Sequence, residues 1–373
     1  MRVNAITAKA VALLLVAACA FMLAGCGGKP ASESGGNREA SLAQSSEEQA
    51  AIAIKILILP HFEIGEMSGD RAGEAQHYYE EYLQGGDEYD IRGMPSDAKL
   101  FLKDGIALCL TGQGKVNTAL TISAVLSDKR FDFSDAYVIA VGCAGAARDY
   151  GVFGDVYVIS AAADYDLGHH ADTRDQSDDR PITWYRNAEY DKIACTVLNQ
   201  ELTDTVFGLV KDTPLETTEK ASETLKESFP GEEWATRPPQ VLKGTSVTSD
   251  NYWKGVYDHQ NALLITQTYG CPDPFAATEM EDIAVCRALK SYDMLDRLII
   301  LRTAVNMDVF TLNTTPESLW GPTADDNLAS DTNKESVGFF DSAMHNNFAV
   351  GKTVIQAILD GKLRPRALIA DNT

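Results

Sequence analysis

The chain is predicted to be an α/β protein: a single domain with a central mixed β-sheet flanked by helices, plus a helical, acidic insertion. Two observations predict this. Near-continuous apolar runs alternate with segments of helical periodicity along most of residues 52–365, the pattern of strands buried on both faces and covered by helices. From about 171 to 240 the alternation stops, and the chain is polar, acidic and mostly helical in pattern with little strand signal.

The elements follow in order. Residues 53–59 form a first strand, and residues 74–83 a helix ended by the turn Gly85-Gly86-Asp87. Residues 106–110 form a strand that runs into Thr111-Gly112-Gln113-Gly114-Lys115, after which 116–126 is an amphipathic helix. A buried strand over 136–141 meets Gly142-Cys143-Ala144-Gly145, and an alternating strand begins at 154–159. The sheet resumes near Val241 and again at Leu298-Ile299-Ile300-Leu301, with helices over 282–289 and 347–359. Ligands of open α/β sheets bind at the carboxyl ends of strands. The chemistry-bearing stretches fall there: 60–66, 111–115, 142–145 and 302–306.

Composition narrows the setting. The net charge of −22 opposes nucleic-acid binding, which needs Lys and Arg to neutralise phosphates. Arg2 and Lys9 precede an apolar run over 10–24 that closes on Leu23-Ala24-Gly25-Cys26. This is a charged region, an apolar region and a small-residue cleavage site. Residues 1–25 are therefore expected to be a lipoprotein signal peptide, with Cys26 lipidated. The competing expectation is an uncleaved anchor, but the run is shorter than the roughly 20 residues of a spanning helix. Residues 26–51, rich in Gly, Ser, Glu and Ala, are expected to be a flexible tether. The protein is thus expected to be extracytoplasmic and lipid-anchored to the cell membrane, with no later spanning segment. Cys109, Cys143, Cys195, Cys271 and Cys286 remain. An odd number at wide spacing indicates neither a disulfide framework nor a zinc site, although one bridge is possible in an oxidising compartment.

Candidate chemistry comes from four places. Glu281, beside Met280 and Asp282, suits a carboxylate accepting from two vicinal hydroxyls of a sugar; alternatively these acids complement the N-terminus of the following helix. Asn306 offers a donor and an acceptor to the edge of a 6-oxopurine, and Asp308 is the competing choice. Arg302, on an apolar strand, needs a partner, either a structural ion pair or a nucleophile. Glu63 and Glu66 are candidate general acid/base groups or solvated loop charges. Gly112-Gln113-Gly114-Lys115 could offer backbone N–H groups to an anion, but its spacing is not that of a P-loop. No Gly-x-Ser-x-Gly elbow is present. His169-His170 with Asp164, Asp166 and Asp172 lacks the helical i, i+4 pair of metal sites, so no metal is expected.

Over almost all of residues 53–360 the chain resembles the purine nucleoside permease family, a branch of the nucleoside phosphorylase/nucleosidase-like superfamily. The resemblance lies in Thr111-Gly112-Gln113-Gly114-Lys115-Val116-Asn117, Gly142-Cys143-Ala144-Gly145-Ala146, Thr248-Ser249-Asp250-Asn251-Tyr252-Trp253-Lys254-Gly255, Met280-Glu281-Asp282 and Arg302-Thr303-Ala304-Val305-Asn306-Met307-Asp308. It implies that Met280 and Glu281 hold ribose, that Asn306 recognises the base and that Arg302 helps hold the nucleophile. Cys143 stands where a Ser often lines the nucleophile site, and Gly142 and Gly114 belong to the shared loops. A catalytic Glu after the first strand is implied, as Glu63 or Glu66. Tyr252 or Trp253 could stack on the base. The resemblance also implies purine nucleosides as ligands and cleavage of their N-glycosidic bond for salvage or uptake. No cofactor is called for, except phosphate as co-substrate if cleavage is phosphorolytic; hydrolysis is favoured because no second loop Arg is placed for phosphate. The alternative is a non-catalytic binding lipoprotein that feeds a separate transporter. Protomer pairing in the superfamily implies a homo-oligomer.

Overall fold

The computed structural model describes residues 50–171, 183–312, 314–315 and 339–363. The expected signal peptide, most of the expected tether and Cys26 lie outside the described residues.

The strands are β1 (Ile52–Ala53), β2 (Ile56–Leu59), β3 (Asp87–Tyr89), β4 (Leu100–Lys103), β5 (Ile106–Cys109), β6 (Phe131–Asp132) and β7 (Tyr137–Ala146), then β8 (Val156–Asp164), β9 (His169–His170), β10 (Trp184–Tyr185), β11 (Cys195–Val197), β12 (Val241–Thr248), β13 (Phe275–Glu279) and β14 (Leu298–Met307). The helices are α1 (Gln76–Tyr78, continued as a π-turn over Tyr79–Leu83), α2 (Lys115–Leu126), α3 (Gln200–Val210), α4 (Glu219–Ser228), α5 (Val256–Thr268), α6 (Asp282–Lys290) and α7 (Phe340–Leu359).

The main sheet runs β11-β8-β12-β13-β7-β2-β5-β4-β3, with β14 pairing both β7 and β8. Those pairings close a ring, β8-β12-β13-β7-β14, in which β13–β7 and β14–β8 are antiparallel and the others parallel. The sheet is therefore mixed, as expected, and covered on both faces. On β2, Leu57 and Leu59 enter one core while Ile56 and Ile58 enter the other; Val138 and Ala140 alternate likewise with Ile139 and Val141 on β7. This period-2 division is why the runs read as continuously apolar.

Helix α7 packs a stripe of Ala343, Met344, Asn347, Val350, Gly351, Val354 and Ile355 inward, the spacing of a helical core face. Asn347 Nδ2 donates to Thr303 Oγ1 (2.9 Å) and the Leu301 carbonyl (3.2 Å), and Tyr78 Oη donates to Asn347 Oδ1 (2.8 Å). A Cβ at Gly351 would lie 2.1 Å from that Tyr78 hydroxyl, so only glycine admits the contact.

The 171–240 stretch is not purely helical. It supplies α3 and α4, but also β10 and the edge strand β11. Leu202, Val206 and Val210 of α3 lie in the same core as Ile56 and Ile58, so this helix is built into the domain and does not cap it. Asp155 anchors where the chain returns to the sheet. Its carboxylate accepts from the amides of Val152 (2.8 Å) and Gln240 (2.7 Å) and from Arg237 Nη1 (2.8 Å). Asp155→Ala leaves two amides unpaired and a half-buried guanidinium without its counter-charge and is expected to cost about 3 kcal/mol, measured as a lower denaturant midpoint with an unchanged m-value.

Candidate active site

The carboxyl ends of β2, β7, β12, β13 and β14 converge on a cavity of about 290 Å³. It is lined by His61 and Phe62 after β2, Glu74 before α1 and Gln113 after β5. Cys143, Ala144 and Gly145 come from β7, and Asn251, Tyr252 and Trp253 follow β12. Thr278, Glu279, Met280 and Glu281 come from β13 and its exit, and Arg302, Val305 and Asn306 from β14.

Arg302 is the charge at its base. Nε donates to Asp282 Oδ1 (2.9 Å), and Nη2 reaches Asp282 Oδ1 (2.7 Å), Glu281 Oε2 (3.1 Å) and Glu279 Oε2 (3.2 Å). Nη1 donates to the Cys143 carbonyl (3.2 Å). The strand does not end at Arg302 but continues to Met307. Nη2 also donates to His61 Nε2 (3.0 Å). Guanidinium has no acceptor, so Nε2 is the bare nitrogen of a neutral imidazole. Its Nδ1–H then donates to Thr111 Oγ1 (2.6 Å), whose hydroxyl continues to the Gly112 carbonyl (3.1 Å). Burial and Arg302 together hold the His61 pKa well below its ordinary value.

The two openings left for the acids around residue 280 are divided between residues. Glu279 is the helix-capping carboxylate: its Oε2 accepts from the amides of Glu281 (2.6 Å) and Asp282 (2.7 Å) at the start of α6. Glu281 instead turns to the cavity, with Oε1 on the Gly114 amide (3.0 Å) and Oε2 on Arg302. Gly114 thus contributes its backbone N–H, at φ +85°, and it orients Glu281. Burial raises both carboxyls, Glu279 to about 8 and Glu281 to about 7, against the pull of Arg302. Asp282 is committed to Arg302 and does not line the cavity.

Asn306 reaches the cavity because of a β-bulge. Ala304 lies opposite Ala144 and Asn306 opposite Gly145, so Val305 is an extra residue in the register. Successive strand residues normally face opposite ways; the bulge lets Val305 and Asn306 both line the cavity, as bulges beside active sites do. Among the described residues the Asn306 side-chain amide has no hydrogen-bond partner. A Cβ at Gly145 would lie 2.7 Å from Asn306 Oδ1, and one at Gly142 would lie 2.7 Å from both Arg302 Nη1 and Glu74 Oε1. Gly142 therefore acts by making room and does not itself line the cavity.

The carboxylate near β2 that faces the cavity is Glu74, not Glu63 or Glu66. Glu63 accepts from the amides of Ile64 (2.8 Å), Gly73, Ala75 (2.8 Å) and Gln76 (2.6 Å), which staples the loop to the start of α1. Glu66 is exposed on that loop. Glu74 is buried, with Oε2 on the His61 amide (2.7 Å) and Oε1 on the Cys143 amide (2.8 Å); burial raises its pKa while Arg302 opposes the rise. Sequence reasoning placed Glu74 at a helix start and passed over His61; the one available signal was that His61 follows the carboxyl end of a strand. Asp308 also lies outside the cavity: its carboxylate is buried against His259 Nδ1 (2.6 Å) and the Arg148 amide (2.9 Å).

Met280, Tyr252 and Trp253 form walls of the cavity, with Trp253 stacked on Tyr165 (centroids 5.2 Å apart). Burial pushes the Cys143 thiol well up. Of the acids near His169-His170, Asp164 pairs with Lys115 (3.0 Å) and Arg287 (3.0 Å), and Asp166 with Lys115 (2.6 Å); Asp172 lies outside the described residues. Through Lys115 the Gly112–Lys115 loop binds acidic side chains.

The fold is that of the nucleoside phosphorylase/nucleosidase-like proteins. It matches the futalosine hydrolase of Helicobacter pylori with a TM-score of 0.51 (12% identity, covering 81% of this chain and 97% of that one). It also matches the 5'-methylthioadenosine/S-adenosylhomocysteine nucleosidase of the same organism with a TM-score of 0.50 (12% identity, 83% and 98%). The purine nucleoside permease (NUP) family model matches residues 53–362, and the chain belongs to that family. It is 30% identical over 221 residues to a probable purine nucleoside permease of Schizosaccharomyces pombe, covering 53% of this chain and 63% of that one. With a purine nucleoside permease of Candida albicans it shares 26% identity over 214 residues, 52% of each. The matches thus span between half and two thirds of these relatives.

The site makes stability depend on pH. An unfolded chain ionises these carboxyls near 4.5, whereas the folded chain keeps Glu279 protonated to about 8 and Glu281 to about 7. Stability from them is present at low pH and lost as pH rises through the folded values. His61, held low, acts in the opposite sense only below its ordinary 6.5. Tm is therefore expected to fall between about pH 6.5 and about pH 8, with Glu279→Gln flattening the slope; a Tm rising across that window would overturn the assignment.

Proposed function

We propose that this protein binds a purine nucleoside and hydrolyses its N-glycosidic bond on the outer side of the cell membrane, held there by lipid on Cys26. One observation carries the proposal: Glu281, oriented by Gly114 and Arg302 beside Met280, shares the cavity with the amide of Asn306, which has no partner among the described residues. A carboxylate accepts from both ribose hydroxyls and stabilises the positive charge that develops on the sugar as the bond breaks. The Asn306 amide donates to and accepts from the purine edge, and the departing base takes its proton from water. Glu74 receives a proton from the attacking water, whose hydroxyl adds to the anomeric carbon.

Water suits this cavity better than phosphate. Glu74, Glu279 and Glu281 line it, and the lining arginine, Arg302, is already engaged by acidic side chains, so a phosphate would find acidic groups where it needs an available cation. The second reading is a binding lipoprotein that hands nucleosides to a separate transporter, favoured by the names of the curated relatives. No helix among the described residues is long and apolar enough to cross a membrane.

Incubation with inosine, guanosine or adenosine is expected to release free base without phosphate. Bound but unchanged nucleoside would select the second reading, and release that needs phosphate would refute hydrolysis. Glu281→Ala is expected to abolish turnover and weaken binding at least ~10-fold, while Glu74→Gln lowers kcat about 100-fold with KM little changed. Cys26→Ser should move the protein from the membrane to the soluble fraction; retention in the membrane would refute the lipid anchor.

A further inference from the structure

We propose that Cys195 and Cys271 are a dedicated oxidation site that closes into a disulfide when the protein meets a disulfide oxidant, independently of what the nucleoside cavity does. The two residues are 76 positions apart in the chain, yet their sulfurs lie 3.4 Å apart. Cys195 opens the edge strand β11, and Cys271 sits in the turn between α5 and β13. Each backbone is already pinned: Cys195 is in register with Ala163 of β8, and the Cys271 amide donates to the Thr266 carbonyl (3.0 Å). Closing the pair needs the sulfurs to approach to about 2.05 Å, a movement on the scale of a side chain and not of a strand.

The pair differs from the other described cysteines. Cys109 and Cys286 are buried, and of the three partly exposed cysteines, Cys143, Cys195 and Cys271, the last two lie sulfur to sulfur. Cys271 also lines a second, open cavity of about 490 Å³ with Arg148 and His259, through which an oxidant can reach it. Within the pair one thiol donates to the other, which favours the thiolate on the accepting sulfur. Cys271, the one of the two that lines the open cavity, is the attacking sulfur.

The chemistry balances as thiol–disulfide exchange. The Cys271 thiolate attacks one sulfur of the oxidant, forming a mixed disulfide and expelling a thiolate. Cys195 gives its proton to water, attacks the Cys271 sulfur and expels the second thiolate. Two protein thiols are oxidised and one oxidant disulfide is reduced to two thiols. The bridge would tie β11 to the turn feeding β13, the strand that ends at Glu279. It would also cross the apolar cluster of Tyr165, Trp184, Ile265 and Phe275, against which Trp253 packs.

The full chain, purified without reductant and equilibrated with glutathione disulfide, is alkylated after denaturation, digested and weighed. The expected product is one joined species of the Cys195 and Cys271 peptides, lighter by two hydrogens, with Cys109, Cys143 and Cys286 alkylated. Recovery of Cys195 and Cys271 both alkylated, or of either joined to another cysteine, would overturn the proposal. Reduction is expected to lower Tm by about 5–10 °C, as for a bridge closing a long loop. Cys195→Ser and Cys271→Ser should match the reduced wild type and ignore reductant. If either variant fails to fold, the wild-type alkylation pattern decides alone.

Discussion

A single buried cation, Arg302, organises the acidic centre of this molecule. Its guanidinium lies among Asp282, Glu279 and Glu281, with Glu74 held nearby across the Cys143 amide. A buried carboxylate is strongly disfavoured without a partner, and four of them around one cleft would repel one another. The arginine makes the cluster tenable, and the residual excess of negative charge is met by raised carboxyl pKa values. Removing the arginine would leave the acidic members with no buried counter-charge, so the exit of β13, the start of α6 and the loop after β2 all depend on this strand residue.

The second constraint is the path of the backbone. β7 pairs with β2 over Tyr137–Ala140 and with β13 at Gly145 and Ala146, while β14 follows it throughout. The chain can pass from one partner to the other because Gly142 and Gly145 have no side chain to collide with Arg302, Glu74 and Asn306. The bulge at Val305 then brings Asn306 to the cavity while Asp308 is withdrawn to His259. The place of Asn306 in the cavity, and with it the base recognition proposed for it, thus rests on one extra residue in a strand register.

Much of the architecture could be read from the chain. Continuous apolar runs at 53–59, 106–110, 136–141 and 298–301 mark strands because both sheet faces are buried; the Gly-rich stretch at 112–114 follows the end of β5, whereas that at 142–145 lies inside β7, which runs on to Ala146. Met280, Glu281 and Asn306 were visible as candidates because their functional groups suit a sugar and a purine edge wherever they sit. Glu74, His61 and Glu279 were not. Nothing local distinguishes a glutamate that caps a helix from one that faces a cleft, as Glu63 and Glu74, only eleven positions apart in the numbering, demonstrate.

By itself, then, the sequence determined the α/β class, the alternation of strands and helices, the acidic surface and the residue types available at the strand ends. These follow from side-chain periodicity and composition, which are local. Only the tertiary structure decided which carboxylates share Arg302, which glutamate turns to the cavity, and that the 171–240 stretch supplies an edge strand and a core helix. It alone brought Cys195 beside Cys271. These outcomes depend on contacts between residues far apart in the chain, on burial and on register, and a one-residue bulge is enough to exchange what faces the cavity for what faces the core.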